Sequence, residues 1–296
     1  MKRNPRVSVI IPTYNRAAWL LQAVSSVTGQ SFSDFELIIA DDGSTDNTAE
    51  VVSQVEHPLH YVHLSHSGRP AVARNRALEI ARGDLVAFLD DDDLWMADKL
   101  QKQVAIFDEN PALALVYCDV RMLVEPDAHT PPILSPAQKR PERLFDSLLV
   151  DCFIYPSTVM ARRSRLLAIG GFDESLSITE DYDLWLRLAY GSEAGCVPEA
   201  LVILRRHEEG ISTLRKREIA EGMIFVLMRV WRELKLTGRQ RFLLRRSLSR
   251  SHTHLAMILR KEGAGKRARR HLWRAIFWFP LRRRAWLELL PRRAMS

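Results

Sequence analysis

The chain has 296 residues, 47% of them hydrophobic and 27% charged, and a formal net charge of +7. That length can bury a sizeable core and carries a prior of roughly two domains, in a composition ordinary for a folded globular protein. Three scattered cysteines, Cys118, Cys152 and Cys196, form no C-x-x-C pair, which argues against a disulfide framework or a structural zinc site and suits a reducing cytosol.

The basic start and the apolar Val7–Ile11 superficially look like a signal peptide, but Pro12, Asn15 and Arg16 interrupt the run too early. No apolar segment approaches the ~20 residues needed to span a bilayer. Val7–Ile11 therefore reads as a buried strand. Residues 17–30 follow as a helix with Trp19, Leu20, Ala23, Val24 and Val27 on one face. Glu36–Ala40 is the next strand, then a helix over about 46–55 with Ser44 or Thr45 as N-cap. Leu59–Leu64 reads as a third strand, Pro70 opens a helix through Ala81, and Leu85–Leu89 is a fourth strand running into Asp90–Asp93. Strands and helices alternating at these lengths predict βαβ units and a mostly parallel sheet.

The middle is less regular. Residues 115–124 and 157–161 read as strands, with a long loop between them marked by Pro126, Pro131, Pro132, Pro136 and Pro141. Loops of this length in compact enzymes are often acceptor loops or lids, and otherwise disordered. Gly170–Asp173 predicts a tight turn, a helix starts near Glu180, and Val197–Leu204 is a last strand. From Arg215 onward the pattern is helical, with breaks at Thr237-Gly238, at 263–265 and at Pro280. The basic excess lies there, in residues such as Arg260, Lys266, Arg267, Arg269, Arg270 and Arg274. The first third is instead rich in aspartate, so a nucleic-acid partner is conceivable only through the tail.

In an open parallel sheet, ligands bind in the crevice at the carboxyl ends of the strands. Here those ends carry Pro12-Thr13-Tyr14-Asn15, Asp41-Asp42 and Asp90–Asp93, so polar and acidic residues converge on one edge. The G-x-G-x-x-G and G-x-x-x-x-G-K-[ST] fingerprints are missing after the first strand, which supports neither a nicotinamide site nor a P-loop. Four adjacent aspartates repel one another unless a cation or strong donors compensate. One reading is a solvated acidic loop capping the helix after Trp95. The other is a hard divalent cation, which takes one or two carboxylates and completes its shell with water and substrate phosphates.

Residues 7–16 (Val-Ser-Val-Ile-Ile-Pro-Thr-Tyr-Asn-Arg), Asp41-Asp42-Gly-Ser-Thr-Asp46, Ala73-Arg-Asn75 and Phe88-Leu-Asp-Asp-Asp-Asp93 resemble the inverting family 2 glycosyltransferases. Gly170-Gly-Phe-Asp-Glu174 and Glu180-Asp-Tyr-Asp-Leu-Trp185 resemble that family's acceptor half, and the likeness covers about residues 5 to 213 in order. It implies a GT-A fold, an α/β architecture with a Rossmann-like sheet. Residues 1–214 would be the catalytic domain, with about 1–100 binding the nucleotide-sugar and about 101–214 the acceptor. Residues 215–296 would form a basic, aromatic helical region. Also implied are a UDP-, GDP- or dTDP-sugar donor, a Mn²⁺ or Mg²⁺ cofactor, and a glycan or lipid-linked acceptor. Pro12, Thr13, Tyr14, Asp42, Arg74, Asp90, Asp91 and His207 would line the donor site, with Asp92 and Asp90 on the metal and Asp181 as catalytic base. Asp91 and Asp93, acidic beside that pair, leave the register of metal ligands open.

Each of these residues also has a structural use. Asp181 suits a helix N-terminus, worth ~0.3–1 kcal/mol, Asp42-Gly43-Ser44 is good turn chemistry, and His207 among Arg205, Arg206 and Glu208 suits a surface. The Q-x-x-R-W motif and membrane spans of processive members are absent, which favours one transfer per encounter. A nucleotidyltransferase would carry a basic Gly-rich loop where Pro12–Arg16 stands. A nucleic-acid binder working through the tail leaves the acidic edge unexplained, and no nucleic acid is expected. In the tail, arginines flank Trp273, Phe277, Trp278 and Trp286. This pattern suits either an amphipathic segment on an anionic membrane or a helical hairpin with a solvated outer face. The expected location is cytoplasmic, or peripheral at the inner face of the plasma membrane.

Overall fold

The structure, a computed structural model, describes residues 4–125, 128–205 and 214–290. Contacts divide the chain into two compact units, Met1–Leu144 with Phe153–Arg206, and Phe145–Cys152 with His207–Ser296. The second unit therefore takes in a short segment from within the first 214 residues.

The elements run β1 (Val7–Thr13), α1 (Ala17–Thr28), β2 (Phe35–Asp41), α2 (Thr48–Ser53), β3 (Leu59–His63), α3 (Pro70–Ile80), β4 (Leu85–Phe88) and β5 (Leu94–Trp95). They continue with α4 (Lys99–Glu109), β6 (Leu113–Glu125), β7 (Ala128–His129), α5 (Leu144–Val150), β8 (Met160–Arg162), α6 (Arg163–Ala168), α7 (Glu180–Ala189) and β9 (Glu193–Arg205). The sheet order is β3-β2-β1-β4-β8-β6-β9-β5, with β7 on β6. β3, β2, β1 and β4 are mutually parallel. β8 then runs antiparallel to both β4 and β6, while β6 and β9 pair parallel. A parallel sheet covered on both faces needs strands that are apolar throughout, and all seven residues of β1 are buried. The chain steps from β1 to β2 and β3, then returns to the other side of β1 as β4. The crevice between β1 and β4 is thus a topological switch point, where open α/β sheets bind ligands.

α1 buries Ala17, Leu20, Ala23, Val24 and Val27, the expected face, with Trp19 at its margin. α3 opens on Pro70 and buries small residues around one cation, Arg74. Residues 157–161 were expected as strand, but Pro156–Thr158 forms a 3-10 turn and β8 starts only at Met160. The proline-rich segment before α5 is pinned by Asp119, whose Oδ1 accepts the N–H groups of Ile133 (2.9 Å) and Leu134 (2.9 Å) and whose Oδ2 meets Lys139 Nζ at 2.7 Å.

In the second unit, α8 (Lys216–Glu233), α9 (Gly238–Lys261), α10 (Gly265–Trp278) and α11 (Arg283–Leu289) break where the sequence predicts. Their core gathers Ala220, Leu255, Ala256, Leu259, Ala268 and Leu272. α9 starts with a capping box, Thr237 accepting from the Gln240 N–H while the Gln240 side chain accepts from Thr237 N–H. No described helix is long and apolar enough to cross a membrane.

Candidate active site

The carboxyl ends of β1 and β2 lie side by side, Thr13 opposite Asp41. Pro12 is buried within β1, while Tyr14 is 40% exposed and stacks on His66 at 4.0 Å. Asn15 takes a positive φ of 50°, and its Oδ1 accepts the Thr45 N–H at 2.7 Å, tying the two strand ends together. Asp42 points into the loop before α3. Its Oδ1 accepts Ser67 N–H (2.9 Å) and Oγ–H (2.7 Å), and its Oδ2 accepts Gly68 N–H (2.8 Å). Asp41 is instead a brace. Burial works against its charge, but donors from Ser44, Tyr61 and His63 outweigh it and hold the carboxyl below its ordinary value.

The four aspartates after β4 divide among four side chains, with Arg16 shared by two of them. Asp90 accepts from Arg74 Nη2 at 2.6 Å. Asp91 accepts from Thr13 Oγ1 at 2.8 Å and Arg16 Nη1 at 3.0 Å. Asp92 meets the same Arg16 nitrogen at 2.8 Å. Asp93 turns inward to Ser157 Oγ at 2.5 Å and to the backbone N–H of Arg205 at 3.3 Å. Ser157 in turn accepts the Asp90 N–H at 3.1 Å, so one hydroxyl fixes both ends of the run. Burial is the main influence on the carboxyls of Asp90, Asp91 and Asp93. It pushes Asp91 up to about 6 against the pull of Arg16, and Asp93 well above its ordinary value with repulsion from Asp92 and Asp90 added.

Arg74 and Asn75 join the two halves of the first unit. Arg74 is buried and reaches Glu180 Oε1 at 2.8 Å as well as Asp90, over the face of Phe172. Burial opposes its charge, but Asp90 and Glu180 together raise its pKa. Asn75 donates to Phe172 O (2.9 Å) and Glu174 Oε1 (2.9 Å) and accepts the Phe172 N–H (2.9 Å). The Ala73-Arg-Asn75, Gly170–Glu174 and Glu180–Trp185 motifs are therefore one assembly, floored by Phe88, Phe172 and Trp185. Thr179, the residue before α7, has a φ of 68°. That is a strained conformation for a β-branched residue, and such strain gathers at functional sites. Asp181 follows in the first turn of α7 and accepts the Tyr182 N–H at 2.7 Å. Burial, then repulsion from Glu180, pushes its carboxyl up to about 7, with Arg74 pulling the other way.

Thr13, Asp90, Asp91 and Asp92 thus converge through Arg16 and Arg74, and Glu180 brings the start of α7 to the same network. His207 lies outside the described residues. Arg16, Glu180, Ser157, Ser67 and His66 are the side chains that reading the sequence did not single out. Arg16 and Glu180 stand inside the recognised motifs, whereas nothing local marks Ser157. The donor set at Asp90 and Asp92 is all carboxylate oxygen, and a guanidinium already supplies positive charge to Asp92. Oxygen donors of this kind suit a hard cation completed by phosphate oxygens, but Asp90 is likewise paired, with Arg74, and no group of three metal-ligating side chains occurs among the described residues.

Residues 8–167 match the family described as Glycosyl transferase family 2. An uncharacterized glycosyltransferase of Rickettsia felis is 33% identical over 202 residues, 68% of this chain and 33% of that protein. A candidate teichuronic acid biosynthesis glycosyltransferase of Bacillus subtilis, TuaG, is 48% identical over 103 residues, 34% of this chain and 41% of that protein. The chain spans about a third of the length of the Rickettsia felis relative and of one from Rickettsia bellii. In structure it is similar to S. aureus TarS 1-349 in complex with UDP-GlcNAc, with a TM-score of 0.73 at 21% identity over 91% of this chain and 81% of that one. It is also similar to a mannosyltransferase from Pyrobaculum calidifontis in complex with GDP-Man and Mn2+, with a TM-score of 0.64 at 22% identity over 97% and 79%. Identities this low speak for the fold.

Proposed function

Because the chain belongs to Glycosyl transferase family 2, with a GT-A catalytic fold and C-terminal helices, we propose that it inverts the anomeric carbon of a nucleotide-diphosphate sugar while transferring it to an acceptor hydroxyl. One observation carries this reading. Asp181, a carboxyl pushed up to about 7, stands next to Glu180, which Arg74 ties to Asp90 at the strand edge. Such a carboxyl would act as a base near neutral pH, beside the residues that would hold a diphosphate.

Thr13 and Tyr14 would line the nucleotide, with Pro12 shaping the strand end beneath them and Asp42 accepting from the base. Asp91 holds Thr13 and Arg16 in place. Asp92 and Asp90 would hold a divalent cation, which when bound offsets the negative charge growing on the leaving diphosphate. Arg74 keeps Asp90 and Glu180 aligned, and His207 would stand beside the diphosphate. Asp181 takes the proton from the acceptor hydroxyl as it attacks the face opposite the leaving group, so configuration inverts and no covalent enzyme intermediate forms. The donor would be a UDP-, GDP- or dTDP-sugar. The acceptor would be a cell-surface glycan or a lipid-linked one, met on the cytoplasmic side of the plasma membrane with one sugar added per encounter.

A thermal-shift screen of UDP, GDP and dTDP with and without Mn²⁺ or Mg²⁺, followed by product release from the matching sugars, tests this. A metal-dependent shift and an inverted anomer by NMR are expected. A retained anomer, or turnover that survives exhaustive chelation, defeats the corresponding part.

A further inference from the structure

The second unit presents a face that its own packing leaves open. α10 buries Ala268, Leu272, Ala275 and Ile276. Arg270, Trp273 and Phe277 fall at i, i+3 and i+7 on the other side, with 53% of Trp273 and 74% of Phe277 exposed. Trp273 meets Trp286 of α11 edge to face at 6.1 Å, and Leu281 between the helices is 80% exposed. Isolated exposed apolar side chains are ordinary. A contiguous group with a charged rim marks an interaction site.

On α10 the rim has one sign, and the single acid of α11, Glu288, is paired with Arg260. α10 carries Lys266, Arg267, Arg269, Arg270 and Arg274 and no acidic residue. Arg267 pairs with Glu221, whereas Arg269, Arg270 and Arg274 meet no carboxylate among the described residues. Three kinds of partner can take arginine and tryptophan together, and the rest of the patch separates them. A second copy meeting this face by two-fold symmetry would set the same cations against each other. Nucleic acid stacks on rings, but gains little from an exposed leucine. An anionic bilayer pairs with the arginines and receives Trp273, Phe277 and Leu281 at its headgroup boundary.

We propose that the α10–α11 face docks on an anionic lipid bilayer, with Trp273 and Phe277 entering the interface and Arg269, Arg270 and Arg274 drawing the surface in. This deepens the lipid-linked-acceptor reading and rests on it for its purpose, while the docking itself involves no turnover.

The full chain is sedimented with phosphatidylcholine vesicles, with and without phosphatidylglycerol, at low and high salt, and nucleotide-sugar turnover is measured in the same samples. Binding only to the anionic vesicles, released by salt, is expected. Each surface cation contributes about fivefold in partitioning, so R269Q/R270Q/R274Q should lower it about 100-fold. W273S/F277S should keep salt-sensitive attraction yet lose quenching of tryptophan emission by brominated lipid. Circular dichroism checks that both variants fold. No binding to anionic vesicles overturns the proposal, as does binding indifferent to both variants. A vesicle-independent dimer, or tight binding to an RNA homopolymer, abolished by the same substitutions would assign the face to those partners instead. A protein that docks but turns over no sugar nucleotide fails the enzymatic reading and leaves the docking standing.

Discussion

At Asp181 the same carboxyl is asked to be a helix-start acid and a proton acceptor, and the two roles give different results on substitution. D181N keeps the size and can still stand in the first turn of α7, but cannot take a proton. Nucleotide binding by calorimetry should persist while turnover falls about 10²–10⁴-fold. A variant with most of its rate would leave Asp181 as a cap. With its carboxyl at about 7, wild-type kcat/KM should rise as pH climbs through that value and the proton is lost. Stability moves the opposite way. The folded value lies above the ordinary one, so this contribution is fully present near pH 4 and disappears as pH rises through about 7. D181N should therefore gain roughly 1–2 kcal/mol over wild type at pH 8, discounted for partial solvent access, and almost nothing at pH 4, by urea titration. D92A probes the other end of the site. Asp92 lies in a loop at the crevice, so the fold should survive while the Mn²⁺-dependent part of nucleotide binding is lost. An unchanged metal dependence would move the cation elsewhere.

Among the elements, the turn at Gly170–Asp173 is clamped by Asn75 through both the N–H and the carbonyl of Phe172. Gly171 has a φ of +66°, and a Cβ there would lie 2.6 Å from Asn75 Oδ1. G171A should break the Asn75 clamp, destabilising by about 2 kcal/mol or more through backbone strain and lost hydrogen bonds, and lowering turnover through α7. Gly170, also at positive φ, has nothing near its Cβ, so G170A serves as the milder control in the same melting series. β1, β2 and β4 were legible because a doubly covered parallel sheet writes itself as continuous apolar runs. α3 was legible from Pro70 and its small apolar face. The two-residue β5 was not, since no periodicity fits in two positions, and the turn at Pro156 looked like strand because its side chains are equally buried. In the site, Thr13, Asp42 and the aspartate run could be read as strand ends. The partners Arg16 to Asp92 and Ser157 to Asp93 lie 76 and 64 residues apart. Local pattern carries no record of which distant side chain answers a buried charge.

At the scale of the whole chain, the two units are not successive in sequence. Phe145–Cys152 belongs with the C-terminal helices, where Asp146 meets Arg239 at 3.0 Å and Gln240 at 3.1 Å, and the Val150 carbonyl accepts from Arg250. A fragment of residues 1–213 keeps α5 and loses those partners. It should melt several degrees below the full chain and aggregate more readily, in differential scanning fluorimetry with light scattering. Equal melting temperatures would show that α5 needs none of them. The +7 charge is as uneven as the contacts, with the acidic strand edge in one unit and the arginine-rich helices in the other.

Asp90–Asp93 are one letter written four times, and the fold gives each copy its own address: Asp90 at Arg74, Asp91 at Thr13 and Arg16, Asp92 at the same Arg16, and Asp93 at Ser157. A deletion of any one of the four produces the same polypeptide, because three identical residues keep no memory of which was lost. The gene cannot specify which address falls vacant. That choice passes to the flanking strands, β4 and β5, both fixed in the sheet, and to whichever of the competing arginines and the serine holds its carboxylate most strongly. The tolerance of this run is thus a single experiment with four possible answers.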